Sequence, residues 1–312
     1  MDGVTVSEQR RTGINLVTKA RVATGYWWRF RARREFDNRS SGSTEALVIL
    51  AGHKPDLWPW TLPRVARHVP PHVDVCLVTP GVEVPELRQF AARHGWSWLS
   101  TTNGHVSLAQ NVAIRALPAA RFIYKLDEDI FIAEGYFEGL MQGFRRVGLE
   151  AEYALGFCSP TLNVNGFSYV DYLRELELTD AWRQRFGPLR RASDGVPAQA
   201  DGDAAVWLWR HGLPVDDTAA RFARRPFGYS IVPHRFSIGA ILFERELWEE
   251  MRGFRRGWRS PGLGEDEQHV AVSCLSSSRI MAVLHNVYAG HFAFGAQTPV
   301  MRTVFGNSLD EF

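Results

Sequence analysis

Apolar residues occur along this chain in short unbroken runs separated by stretches of helical period. Ala46-Leu47-Val48-Ile49-Leu50 and residues 73–78, 96–99 and 121–125 do not alternate with polar residues, which predicts strands buried on both faces. Residues 85–94 carry Pro first, Gly95 just beyond the end, and Leu87, Phe90 and Ala91 on one side, which predicts a helix. A Trp/Pro-rich segment ending at His68 contains another. Ser107 and Gln110 stand at capping-box spacing before Leu108, Val112 and Leu117, and Phe137, Leu140, Met141 and Phe144 recur at helical spacing. Strands follow over 153–157, 236–243 and 280–284, with a helix over 245–252 closed by Gly253. Strands alternating with helices predict an α/β fold, a mostly parallel central sheet flanked by helices, with ligands outside the carboxyl ends of its strands. Between 159 and 235 the pattern loosens, with a mixed aromatic/charged helix near Tyr169 to Leu178 and an apolar island at 204–209. An irregular insertion of that length in a compact domain is expected to be a lid or a substrate-binding elaboration.

With 312 residues, 45% hydrophobic and 12% aromatic, the chain can bury a large core and is not tail-like. A net charge of +2 gives no case for nucleic-acid binding, but its distribution is uneven. Residues 1–44 hold nine Lys/Arg against four Asp/Glu, leaving 27 against 30 for the remainder. Residues 1–44 therefore read as a basic appendage, ending in a linker at 39–44, and 45–312 as the catalytic-sized body. Residues 19–36 read as a helix with Tyr26, Trp27, Trp28 and Phe30 among arginines. It either lies on an anionic membrane surface or packs on the body with its arginines in water. Cys76, Cys158 and Cys274 form no Cys-x-x-Cys pair, and buried free thiols are expected. No apolar run approaches the ~18–20 residues of a membrane span, nor is there a signal-peptide core. A cytoplasmic location is expected, with peripheral contact at the inner membrane face as the option residues 19–36 leave open.

Three carboxylates interrupt the apolar pattern at Tyr124-Lys125-Leu126-Asp127-Glu128-Asp129-Ile130-Phe131. Charged residues between buried segments need partners. In an extended segment Asp127 and Asp129 share a face and Glu128 points away, an arrangement that suits Mg²⁺ or Mn²⁺ bridging substrate phosphates. Glu265-Asp266-Glu267 places more acid at one helix start than capping needs, so a carboxylate there is a candidate general base. His291, between Gly290 and Phe292, is either a core histidine or an imidazole ligand, with His285 as the competing choice.

The ordered set Gly104, Ser107 and Asn111, then Tyr-Lys-Leu-Asp-Glu-Asp-Ile-Phe-Ile, then Gly239-Ala-Ile-Leu-Phe with Gly253-Phe254, then Gly-Glu-Asp-Glu-Gln and His291-Phe-x-Phe-Gly resembles GT-A fold glycosyltransferases, family-2-like. It covers about residues 45–295, apart from most of 160–235. The resemblance implies an inverting, metal-dependent transfer of a sugar from a nucleotide-diphosphate donor to a glycan or other hydroxyl acceptor. It implies Asp129 as metal ligand, Asp127 on the ribose or on a water of the metal, and His291 as a further ligand. Asp266, in the pair Glu265-Asp266, becomes the base, while Gly52, His53, Asn103 and Lys125 border the nucleotide, and the 159–235 insertion shapes the acceptor side. A UDP-sugar is the first expectation, yet His53-Lys54-Pro55 replaces the more usual short polar turn followed by an acid, so the base stays open. Trp58, Trp60, Trp207, Trp209 and Trp258 are candidate sugar-stacking residues. Two rivals stand beside this reading. One is a nucleotidyltransferase, which would want a Gly-rich basic loop after the first strand. The other is a non-catalytic carbohydrate-binding or membrane-associated scaffold.

Overall fold

The computed structural model describes residues 33–102, 104–255, 264–306 and 312. Among these lie ten strands: β1 (Arg33–Asp37), β2 (Glu45–Leu50), β3 (Asp74–Thr79), β4 (Ser97–Thr101), β5 (Phe122–Asp127), β6 (Ile130–Phe131), β7 (Ala154–Leu162), β8 (Tyr229–Ile231), β9 (Ala240–Glu244) and β10 (Arg279–His291). They form one sheet in the order β1-β4-β3-β2-β5-β9-β7-β10-β6, with β8 also on β10. β4, β3, β2 and β5 are parallel neighbours, and β7 pairs β10 in parallel. β9 runs antiparallel between β5 and β7, so both parallel groups point the same way. The protein is thus a mixed α/β structure with a mostly parallel sheet flanked by helices.

The unbroken apolar runs have a direct cause. Ala46, Val48 and Leu50 of β2 enter one core with the helix Val106–Ala116, while Leu47 and Ile49 enter the other with the helices Trp58–His68 and Tyr136–Glu150. Covering both faces removes any position for a polar residue between them. Cys76, Cys158 and Cys274 are buried free thiols in these layers.

The 159–235 segment differs from its irregular reading. It holds the helices Tyr169–Glu175, Thr179–Phe186, Pro197–Ala200, Gly202–His211 and Val215–Ala223, around a third core that contains Trp182, Trp209, Tyr172 and Phe222. The helix expected near Tyr169 to Leu178 is there as Tyr169–Glu175, while the others, of four to ten residues, show too few turns to display a period. Asp201 caps one of them, its carboxylate accepting from the Asp203 and Ala204 N–H groups at 2.8 and 3.3 Å.

The basic N-terminal reading also changes where it can be seen. Residues 19–32 lie outside the described residues, but Arg33–Asp37 is a strand, antiparallel to β4, and not the end of a helix. Phe36 packs on the core, and Arg88 pairs with Glu35 and Asp37 at 2.9 and 2.8 Å, so pairing with the open edge of β4 wins over helical period. The 39–44 segment is tethered. One oxygen of the Asp74 carboxylate accepts from the Ser41 N–H and hydroxyl (2.7 and 2.9 Å), the other from the Gly42 and Ser43 N–H groups (3.0 and 2.9 Å). No described helix is long and apolar enough to cross a membrane.

Burial would raise the Asp74 pKa, but the N–H groups of Ser41, Ser43 and Gly42 and the Ser41 hydroxyl bring it below its ordinary value. A depressed carboxylate contributes stability that is present above its unfolded pKa and lost as pH falls toward the folded one. Asp74→Asn should therefore cost about 1–3 kcal/mol in urea unfolding at pH 7, with the difference from wild type shrinking below roughly pH 4.

Candidate functional site

A cleft of about 570 Å³ opens beyond the carboxyl ends of β2 and β5, bordered by both acidic clusters, 127–129 and 265–267, and by His291. Asp127 ends β5, and its N–H donates to the Gly239 carbonyl at 2.8 Å. Gly239 matters here, since a Cβ on it would stand 3.1 Å from Asp127 Oδ2. Two residues back on the same face, Lys125 lies buried and reaches Asp127 Oδ1 at 2.7 Å.

Asp129 is enclosed. Its Oδ2 receives the Lys54 ammonium and faces His291 Nε2 at 3.4 Å. His291 Nδ1 lies 2.8 Å from the Val164 carbonyl, which can only accept, so Nδ1 carries the proton and Nε2 is the nitrogen turned to Asp129. The His291 N–H donates to Asn163 Oδ1 at 2.9 Å, so the start of the 159–235 segment fixes this imidazole.

Glu128 borders the cleft but turns back onto the loop after β2. Its carboxylate accepts from the Gly52 N–H at 2.9 Å, the His53 N–H at 3.1 Å and the Trp58 indole N–H. Its own carbonyl accepts from the Thr61 hydroxyl at 2.8 Å. Glu128 is therefore a brace between β5 and the β2 loop.

On the other wall, the helix Glu265–Ser276 starts with Gly264 in the left-handed region. Asp266 Oδ2 accepts from Gln110 Nε2 at 2.7 Å, and Oδ1 from the Glu267 N–H at 3.0 Å. The helix Val106–Ala116 has no side-chain cap at its start, so the capping-box reading of Gln110 is corrected: its amide serves Asp266 instead. Its neighbour Asn111 accepts from Trp248 Nε1 and the Phe254 N–H (2.9 and 2.8 Å) and donates to the Phe254 carbonyl (2.8 Å). Gly253, at φ +76°, admits that close approach.

Crowded carboxylates shift one another. Burial pushes Asp127 upward, partly offset by Lys125 and reinforced by Asp129 and Asp266. Burial would raise Asp129 as well, but Lys54 and His291 hold it well below the usual carboxylate range. Lys54 moves the other way: burial lowers its pKa, and Asp129 outweighs that. Glu267 is pushed up to about 7 by desolvation and Asp266, against Lys125 and Arg235.

Of the expected residues, Asp127, Asp129, His291, Glu265, Asp266, Lys125 and His53 border one cleft. Gly52 sits behind it, with its N–H on Glu128. Asn103 and Trp258 lie outside the described residues. His285 is not among the cleft's lining, and its Nε2 meets Ser230 Oγ at 2.8 Å. None of the described tryptophans lines the cleft. Trp209 is fully buried with its indole N–H on the His291 and Phe292 carbonyls, Trp58 serves Glu128, Trp207 packs on Trp182, and neither Trp207 nor the exposed Trp60 lines the cleft. The aromatic residue that does is Phe294, edge-on to His291. Lys54 and Gln110 are cleft-side residues that the sequence pattern does not single out as such. The first stands two positions beyond Gly52, at the sheet edge the topology marks.

The donor set fits a divalent cation shared with a ligand. Nε2 and Oδ2 at 3.4 Å approach the roughly 3 Å between adjacent ligands at right angles around an ion with ~2.1 Å bonds. Among the described residues no group of three or more His, Cys, Asp or Glu closes around one ion, so a cation here would have to take its other ligands from water or a bound phosphate.

No protein-family model matches the sequence, and no curated protein matches it. Among solved structures, the chain is similar to the mannosyltransferase PcManGT from Pyrobaculum calidifontis in complex with GDP-Man and Mn²⁺, with 14% identity and a TM-score of 0.48 over 91% of this chain and 69% of that one. It is also similar to S. aureus TarS 1-349, with 12% identity and a TM-score of 0.47 over 84% of this chain and 64% of that one. The chain thus spans about two thirds of either solved chain. At these identities they are likenesses of chain path alone.

Glu128→Ala removes a charged acceptor from two backbone N–H groups and an indole at once. It should cost about 2–4 kcal/mol in urea unfolding, whereas a loss under ~0.5 kcal/mol would mean that the β2 loop is held by something else.

Proposed function

We propose that the chain is a glycosyltransferase that moves a sugar from a nucleotide-diphosphate donor to a hydroxyl acceptor, with inversion and with Mn²⁺ or Mg²⁺. The observation that carries this reading is one cleft at the strand ends bordered by two acidic clusters far apart in sequence. One cluster has an Asp–His pair suited to a phosphate-bridging cation, the other a buried, oriented carboxylate.

Asp129 and His291 would hold the cation, which when bound offsets the charge that develops on a departing diphosphate. Asp127, anchored by Lys125, faces the donor beside it. Asp266 takes the proton of the acceptor hydroxyl while the oxygen attacks the anomeric carbon. The bond from that carbon to the diphosphate oxygen breaks, its electron pair leaving with the diphosphate. Attack opposite the leaving group inverts the configuration. Gln110 keeps Asp266 from rotating, and ionised Glu267 stands beside it, where its negative charge draws the departing hydroxyl proton. The Gly52 and His53 N–H groups are engaged by Glu128, which counts against a phosphate-cradling nucleotidyltransferase loop.

With release of nucleoside diphosphate from UDP- and GDP-sugars as the assay, Asp266→Asn should lower turnover by at least about 10²–10⁴-fold. Its affinity for nucleoside diphosphate with Mn²⁺ should stay near that of wild type. Retained turnover removes Asp266 from the base role, and lost nucleotide binding makes it structural. The pH profile gives a second check: kcat/KM should rise through pH about 7 as Glu267 ionises, and Glu267→Gln should abolish that limb.

A further inference from the structure

Asp129 presents one carboxylate oxygen to two cations' worth of demand. Oδ2 is the atom that faces His291 Nε2, and Oδ2 is also the atom that receives the Lys54 ammonium. An ion held between Asp129 and His291 needs that same oxygen. The ammonium and the ion therefore compete for one acceptor.

The two lysines of the cleft differ in their freedom. Lys125 is 4% exposed along its side chain and sits on Asp127, fixed within β5. Lys54 is 31% exposed and stands on a loop, while the carboxylate that it meets is only 2% exposed. Because Glu128 fixes the backbone at Gly52 and His53, Lys54 can exchange partners by moving its four-carbon stem alone. A diphosphate in this cleft would offer the ammonium a new anion and would supply the ligands that Asp129 and His291 lack.

We propose that Lys54 is an exchangeable counter-ion, which holds Asp129 in the donor-free chain and passes to the donor's diphosphate when donor and divalent cation bind together. This inference rests on the function proposed above and adds a binding order to it. The free chain takes Mn²⁺ poorly, the nucleotide and the cation enter as a complex, and Lys54 couples the two.

Calorimetric titration of the full chain with Mn²⁺ alone, and with UDP or GDP in the presence of Mn²⁺, tests it without any turnover. Lys54→Met should bind Mn²⁺ alone about tenfold more tightly than wild type, because the competitor for Oδ2 is gone. The same variant should bind the nucleoside diphosphate with Mn²⁺ about tenfold or more weakly, because a charge-assisted phosphate contact is lost. Lys54→Arg, which keeps the charge, should bring Mn²⁺ affinity back toward wild type. Unchanged or weakened Mn²⁺ affinity in Lys54→Met overturns the exchange, and so does unchanged nucleotide affinity. If wild type binds neither Mn²⁺ nor a nucleoside diphosphate, the proposed function fails as well.

Discussion

Carboxylates gathered out of water need donors or cations, and the cleft at the ends of β2 and β5 is organised by that requirement. Asp127, Glu128, Asp129, Asp266 and Glu267 all border it. Each of the first four has a named partner of different chemistry: Lys125, two backbone N–H groups with an indole, Lys54 with His291, and the Gln110 amide. The partners come from the β2 loop, the helix Trp58–His68, β5, the helix Val106–Ala116 and the end of β10. Satisfying the acids therefore ties together elements that the sheet alone would only place nearby.

The differing partners also divide the labour. Glu128, held by N–H groups, cannot leave without unfastening the loop, and so acts as structure. Asp129 is paired with an ammonium on a partly exposed stem and with an imidazole, and under the proposal the first would yield to a cation and the second become its fellow ligand. Asp266 is fixed by an uncharged amide, which orients a carboxylate without neutralising it. On the proposed function, such an arrangement would leave a base available while the donor side is screened.

The sheet was legible because its strands are covered on both faces, so β2 through β5 read as unbroken apolar runs. Asp127 and Asp129 do border one cleft, but the extended segment that strand alternation assumes ends at Asp127, and a turn at Glu128-Asp129 brings Asp129 there. Three things were not legible. The partner of a buried acid depends on tertiary neighbours, so Gln110 looked like a cap and Glu128 like a residue facing away. The 159–235 segment folds into helices too short to show a period, held by aromatic packing that composition alone does not order. Residues 33–37 became a strand because β4 offered an open edge, a cause that lies some sixty residues away in sequence.

The central claim is that Asp129 anchors a site where a nucleoside diphosphate and a divalent cation bind as one. It is tested most directly by thermal unfolding of wild type and Asp129→Ala with a panel of nucleoside diphosphates, each with and without Mn²⁺. The account predicts a rise in Tm for at least one nucleotide in wild type only when Mn²⁺ is present, and no such rise in Asp129→Ala. A nucleotide that stabilises both proteins equally, with Mn²⁺ making no difference, would contradict it.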